Sequence, residues 1–214
     1  MRGRSTSIDA AVMTLTAEEP SDGRHRRSMS SQRRIVQAML ELVAQGNVAP
    51  SADEVSDRAG VGRRSVFRHF SDMDSLYREM AAVLHVQFAK VAEQPFKSTH
   101  WRDQLIELVE RRANAFDRMA PYLNASIIHR NHSPVLREGH ARFVGILRAL
   151  LVNRLPPDVA KDKVFVDAVD LLISFEAWDR LRQDQGLSPG EAKQVLCSTV
   201  LALLAQRDRA RAKS

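Results

Sequence analysis

The stretch from Ser51 to Leu76 constrains the fold more than any other part of the chain, because its residue order suits one local structure: two short helices joined by a tight turn. Ser51 stands three residues before Glu54, the spacing at which a serine hydroxyl and a glutamate carboxylate cap a helix start reciprocally. Val55 and Ala59 then fall one turn apart on one helix face, ready to pack inward. Gly60 follows where the helix must stop, and a residue without Cβ enters the left-handed region cheaply. Val61 is expected to plug the small core, and Gly62 to open a second helix. The spacing predicts helices over about 52–59 and 63–69. The first turn of the second carries Arg63, Arg64 and Ser65, and Arg68 follows one turn on. Guanidinium forks suit guanine edges and phosphates, so these four are the expected base and phosphate readers of double-stranded DNA. Ser51 and His69 are expected to donate to phosphates, which position a protein rather than select sequence. Phe67 and Phe70 read as core, with Phe67 also able to touch a thymine methyl or a sugar.

Arg34, Ile35 and Ala38, then Gly46, Ala59-Gly60-Val61, Phe67-Arg68-His69-Phe70 and Leu76 resemble the N-terminal domain of TetR-family transcriptional regulators. The resemblance covers about 45 residues, with a weaker one at Ser174–Ser188. It implies three DNA-binding helices, a larger helical domain that dimerises and holds a small effector between helices four to eight, and an operator with two half-sites. Two positions depart from the family pattern. Phe67 stands where tyrosine is frequent, which removes a hydroxyl contact to phosphate, and Met73 where a phosphate-binding lysine is frequent.

Along the rest of the chain no segment alternates as a strand should, so the expected fold is all-α with about nine helices. Residues 1–28 lack periodicity and read as a disordered basic arm; the arginines at 24–27 and 33–34 are candidates to reach the DNA backbone or minor groove. A helix over 30–44 presents Ile35, Ala38, Met39, Leu42 and Val43 inward. Residues 29–75 form the expected DNA-binding domain, with the helix-turn-helix at about 51–70. Ser71 and Asp74 suggest a capping box for a fourth helix reaching about Glu93. Residues 76–208 form the regulatory and dimerisation domain, and 209–214 a basic tail. Within it, helices are expected at about 101–119, from Pro121, from Pro134, at 159–184 ending before Gly186, and from Pro189 behind a Ser188/Glu191 capping box.

Charge supports local rather than global attraction to DNA. The net charge is +6, but residues 35–93 carry −2 by themselves, so affinity must come from where the arginines stand. There is no run of 18 or more apolar residues to span a membrane and no apolar leader segment. The single cysteine, Cys197, rules out an internal disulfide and fits a reducing cytoplasm. No H-E-x-x-H, G-x-S-x-G or phosphate loop is present, so no enzyme activity and no cofactor are expected. His129, His132 and His140 lack a cysteine or paired carboxylates, so no metal site is expected either.

The expected homodimer surface comprises Phe165, Val169, Leu172 and Trp178 with Val195, Leu196, Val200 and Leu203, more apolar surface than a monomer should expose. For the effector, Gln87, Arg112 and His140 interrupt apolar helix faces. With Trp101, Phe116, Met119, Tyr122 and Phe143 they would line a site for a mainly apolar small molecule with one polar or acidic end. Glu176 is the expected internal partner of Arg112. The whole reads as a DNA-binding regulator, most simply a repressor released from a palindromic operator by that effector. The alternative is a helical homodimer that acts through a protein partner with weak or no specific DNA binding.

Overall fold

The computed structural model describes residues 23–212, so most of the expected arm and the last two residues lie outside it. Among the described residues every regular element is helical: α1 Gly23–Ala44, α2 Ala52–Ala59, α3 Arg63–His69, α4 Met73–Glu93, α5 Trp101–Arg130, α6 Pro134–Val152, α7 Pro157–Ala160, α8 Lys163–Leu172, α9 Phe175–Asp179 and α10 Pro189–Arg211, with a π-helical turn over Arg180–Asp184. The chain divides into two compact units. One contains the described residues up to Lys90 together with Pro121–Phe143; the other contains Val91–Ala120 and the chain from Val144 onward.

In the first unit α1 is longer than its apolar face. Ile35, Ala38, Met39, Leu42 and Val43 are buried as expected, and Val36 and Leu40 join them. The helix nevertheless starts at Gly23, so the expected arm boundary at residue 28 falls inside it. Arg27 and Ser28 are exposed there, and polar residues that face water leave no periodicity by which such an extension could be read. The α4 start also differs: Asp72, not Ser71, caps it, with the Ser75 amide donating to Asp72 Oδ1 at 2.7 Å and the Asp72 amide to Ser75 Oγ at 3.4 Å. Leu76, Tyr77, Met80, Val83, Leu84 and Phe88 form its buried face.

Three expected boundaries in the rest of the chain are corrected. Pro121 starts no new helix; it lies inside the 30-residue α5. Proline lacks the N–H that would bond four residues back and costs about 3 kcal/mol in a helix interior. Buried Met119, Tyr122 and Ala125 carry the apolar face across it. The single helix expected at 159–184 is broken twice, by Asp162 and Ser174. Each accepts a hydrogen bond from the amide three residues ahead, Phe165 at 3.1 Å and Ala177 at 3.2 Å, and so starts a new helix. The expected tail at 209–214 begins inside α10, which runs to Arg211 behind the Ser188/Glu191 capping box.

The second unit buries Trp178, Phe116, Ile173, Leu105 and Leu151, each contributing roughly 1.5–3 kcal/mol by leaving water. Arg111 fastens the residues before α5, its guanidinium donating to the carbonyls of Gln94 and Pro95 at 2.5 Å each and lying 4.2 Å from the Phe96 ring centroid.

Candidate functional site

The helix-turn-helix forms as its residues dictate. Ser51 caps α2 through a full capping box, with Glu54 Oε2 accepting from both the Ser51 amide at 2.8 Å and the Ser51 hydroxyl at 2.7 Å. These bonds hold the Glu54 carboxyl below its ordinary range. Gly60 takes φ 61°, the left-handed conformation that lets the chain turn out of α2. The Val61 amide then returns to Ser56 O at 3.0 Å. Behind the turn, α3 is seated on Val66 and Phe70, both buried. Positions 63, 64, 67 and 68 of the helix are all exposed.

The four exposed side chains differ in their surroundings. Arg63 Nη1 donates to Asp53 Oδ2 of α2 at 3.1 Å, and its guanidinium lies 5.8 Å from the Phe67 ring centroid. Arg68 Nη2 reaches the half-buried Ser65 hydroxyl at 3.4 Å. Arg64 makes no hydrogen bond or ion pair among the described residues and stands ready for a partner. Phe67 is 43% exposed, so it is no core residue; it enlarges the outward face while Phe70 alone packs inside.

Two expected phosphate contacts meet obstacles. The Ser51 hydroxyl is committed to Glu54. His69 is half-buried, and its Nε2 is enclosed without a hydrogen-bond partner. Burial and the neighbouring Arg68 lower its pKa and hold the ring neutral. A phosphate contact from that nitrogen would require the ring to rotate outward. Of the arginines before the motif, Arg27, Arg33 and Arg34 lie on α1, while the side chains of Arg24 and Arg26 fall outside the described ones.

Sequence reasoning missed a contact within the same unit. The Tyr77 hydroxyl donates to Val48 O at 3.3 Å, His129 Nε2 lies 3.3 Å from the same carbonyl, and the two rings stack at 3.8 Å. The turn leading into α2 is thereby fastened to α4 and to the end of α5. His129 and Tyr77 are 52 residues apart, and no local pattern announces the pair.

The eight expected effector residues divide between the units. Gln87, Tyr122, His140 and Phe143 belong to the first, and Trp101, Arg112, Phe116 and Met119 to the second. In the first, His140 Nε2 lies 2.7 Å from Arg130 Nη1, and Phe143 packs between His85, stacked at 4.9 Å, and Phe88. In the second, Phe116 meets Phe175 edge-on, and Trp101 lies under the Arg102 guanidinium. Trp101 and Arg112 share a helix about 16 Å apart along its axis, too far to bracket one end of a small ligand.

Arg112 is 5% exposed and braces its unit. It donates to Ile173 O at 3.3 Å and to Leu147 O, and its Nη1 lies 3.8 Å from Asp170 Oδ1. Burial pulls its pKa down to about 10 against the pull of Asp170, so it stays a cation at neutral pH. Asp170 also accepts from Arg148 at 3.0 Å. The expected partner, Glu176, is exposed, because the break at Ser174 turns it away from the Ile173 face.

The expected dimer surface needs the largest correction. Phe165, Val169, Trp178, Leu196 and Val200 are buried within the chain itself, Leu172 and Leu203 are half-buried, and only Val195 is exposed. α8 is apolar on two sides. Phe165, Val166 and Val169 face the core, while Val164 and Leu171, 82% and 69% exposed, flank Ala168 on the outer side. Beside them an open groove of about 530 Å³ runs between α7–α8 and α10, lined by Val164, Phe165, Leu203 and Ala210 among charged Asp158, Asp162, Arg207 and Arg211. Among the described residues no group of three or more His, Cys, Asp or Glu could hold a metal ion, and no helix is long and apolar enough to cross a membrane.

The sequence pattern of the bacterial regulatory proteins of the tetR family matches residues 35–80. In fold, the chain is similar to the crystal structure of a transcriptional regulator from Rhodococcus sp. Rha1, with a TM-score of 0.67 at 18% identity over 82% of this chain and 96% of that one. It is also similar to a protein from Mesorhizobium loti MAFF303099 assigned to the TetR family of transcriptional regulators, with a TM-score of 0.57 at 17% identity over 84% of this chain and 97% of that one. No curated protein matches the chain.

Proposed function

We infer from this chain's membership of the TetR family of DNA-binding transcriptional regulators that it occupies a two-fold operator as a homodimer and leaves it when a small, mainly apolar effector binds. The observation that carries the reading is the exposed face of α3, where Arg63, Arg64, Phe67 and Arg68 project from a helix braced on Val66 and Phe70. Such a helix offers few contacts alone, and two of them about 34–36 Å apart meet successive turns of the same groove. An operator overlapping a promoter would make the protein a repressor. For the effector, the aromatic cluster of Phe88, Phe143 and His85 in the first unit supports a mainly apolar ligand. Arg112, held through Nη1 and Nη2 by two carbonyls and lying beside Asp170, is read as a brace rather than as the receptor for an acidic end of the ligand.

For the dimer we favour the outer side of α8, Val164, Ala168 and Leu171, continued onto α10 by Val195 and Leu201. Val164, Leu171, Val195 and Leu201 are all exposed, and Ala168 is half-buried. Surface apolar patches of this kind suit an interface between copies. Nuclease footprinting on the upstream intergenic DNA tests the function: two protected half-sites one turn apart are expected. Val164→Glu with Leu171→Glu should turn the dimer seen by light scattering into a monomer and weaken the footprint at least about tenfold, since each half-site then binds alone. A double variant that remains dimeric would place the interface elsewhere.

A further inference from the structure

We propose that Asp53 is a positioning residue for DNA readout, biasing the Arg63 guanidinium toward the orientation that reads a base and making the protein more selective by weakening its hold on DNA of arbitrary sequence. The inference rests on α3 being the reading helix. Asp53 is the second residue of α2, and Arg63 the first of α3. The 3.1 Å bond from Arg63 Nη1 to Asp53 Oδ2 therefore links the two helices of the motif at the end where α3 begins. Both side chains are about 60% exposed, at 62% and 63%, and an ion pair in that much water adds little to stability. As a first-turn acid Asp53 would favour α2 whichever way it pointed. The pairing with Arg63 needs a different reason.

An unpaired arginine samples many rotamers and loses that freedom on binding. With one Nη1 donor on the carboxylate and the Phe67 ring alongside, Arg63 is biased in advance toward one orientation, and its Nη2 and Nε donors remain for another partner. Two parallel donors of this kind match O6 and N7 of guanine. The carboxylate has a cost, because it brings negative charge toward phosphates and repels DNA of any sequence. Arg64, without a partner among the described residues, has no such restraint and serves as the adaptable contact. Asp53 should therefore move binding to cognate and to arbitrary DNA in opposite directions, which a simple surface charge would not do.

The test uses full-length protein and a duplex recovered by selecting from a random-sequence library, with a scrambled duplex as the control. Asp53→Ala is expected to tighten the scrambled duplex several-fold while the ratio of selected to scrambled affinity falls about tenfold, the size of one well-made guanine contact. Asp53→Glu should recover most of the ratio. In an Arg63→Ala background, Asp53→Ala should leave the ratio unchanged. The proposal is overturned if Asp53→Ala changes both affinities by the same factor, or if it lowers the ratio equally with and without Arg63. A library from which the wild-type protein enriches no sequence would overturn the reading function itself, and the role of Asp53 with it.

Discussion

Asp170→Ala is expected to destabilise the protein by about 3–5 kcal/mol, the usual cost of stripping the counter-ion from a buried charge. Arg112 is a cation with 5% of its surface in water, and its Nε is enclosed with no hydrogen-bond partner. Its Nη1 and Nη2 donate to the carbonyls of Ile173 and Leu147, and among the described residues Asp170 is the carboxylate that offsets its charge, at 3.8 Å and hence without a direct hydrogen bond. Because a domain's whole stability is about 5–15 kcal/mol, a loss of this size should bring the urea midpoint near to unfolding in buffer. Replacing the arginine as well, as Arg112→Met with Asp170→Ala, removes the buried charge and should recover at least half of the loss. Urea denaturation of the two variants checks this. A single variant within about 0.5 kcal/mol of wild type would mean that water, and not Asp170, solvates Arg112.

Arg63→Ala combined with Arg64→Ala should cost about 2–6 kcal/mol of specific DNA affinity, between roughly thirtyfold and twenty-thousandfold, if each arginine makes one good bidentate contact. The fold should not notice. Both side chains are exposed, and surface changes of this kind stay within about 0.5 kcal/mol. Fluorescence anisotropy on the selected duplex and thermal denaturation of the same sample separate the two effects. Unchanged anisotropy with an unchanged melting curve would move the reading surface away from the start of α3.

The helix-turn-helix is legible in sequence because all its determinants are local: the Ser51/Glu54 box, Gly60 in the left-handed turn and the buried Val66 and Phe70 that seat α3 lie within one short stretch. Elsewhere local rules compete with burial. Pro121 looks like a helix start, yet the apolar face through Met119, Tyr122 and Ala125 carries α5 past it. Asp162 and Ser174 look like ordinary polar positions, yet they cap new helices and rotate everything after them. That rotation is why Asp170, and not Glu176, meets Arg112. Periodicity also reports how many apolar sides a helix has without saying which one is inside. On α8 the Phe165–Val169 side packs in the core, and the Val164–Leu171 side is left outward. Phe67 illustrates the reverse: an aromatic beside a turn reads as core, but α3 is only seven residues long, and Val66 within it and Phe70 just after it suffice to seat it.

The most direct measurement is the affinity of the purified protein for its upstream intergenic DNA at a series of salt concentrations, with excess non-specific competitor present. A protein that reads DNA through the arginines of α3 should give a saturable complex that survives the competitor and weakens steeply with salt, the logarithm of affinity falling linearly with that of salt. An affinity that ignores salt, or a complex that the competitor removes entirely, would contradict sequence-specific reading and leave a helical dimer working through a protein partner.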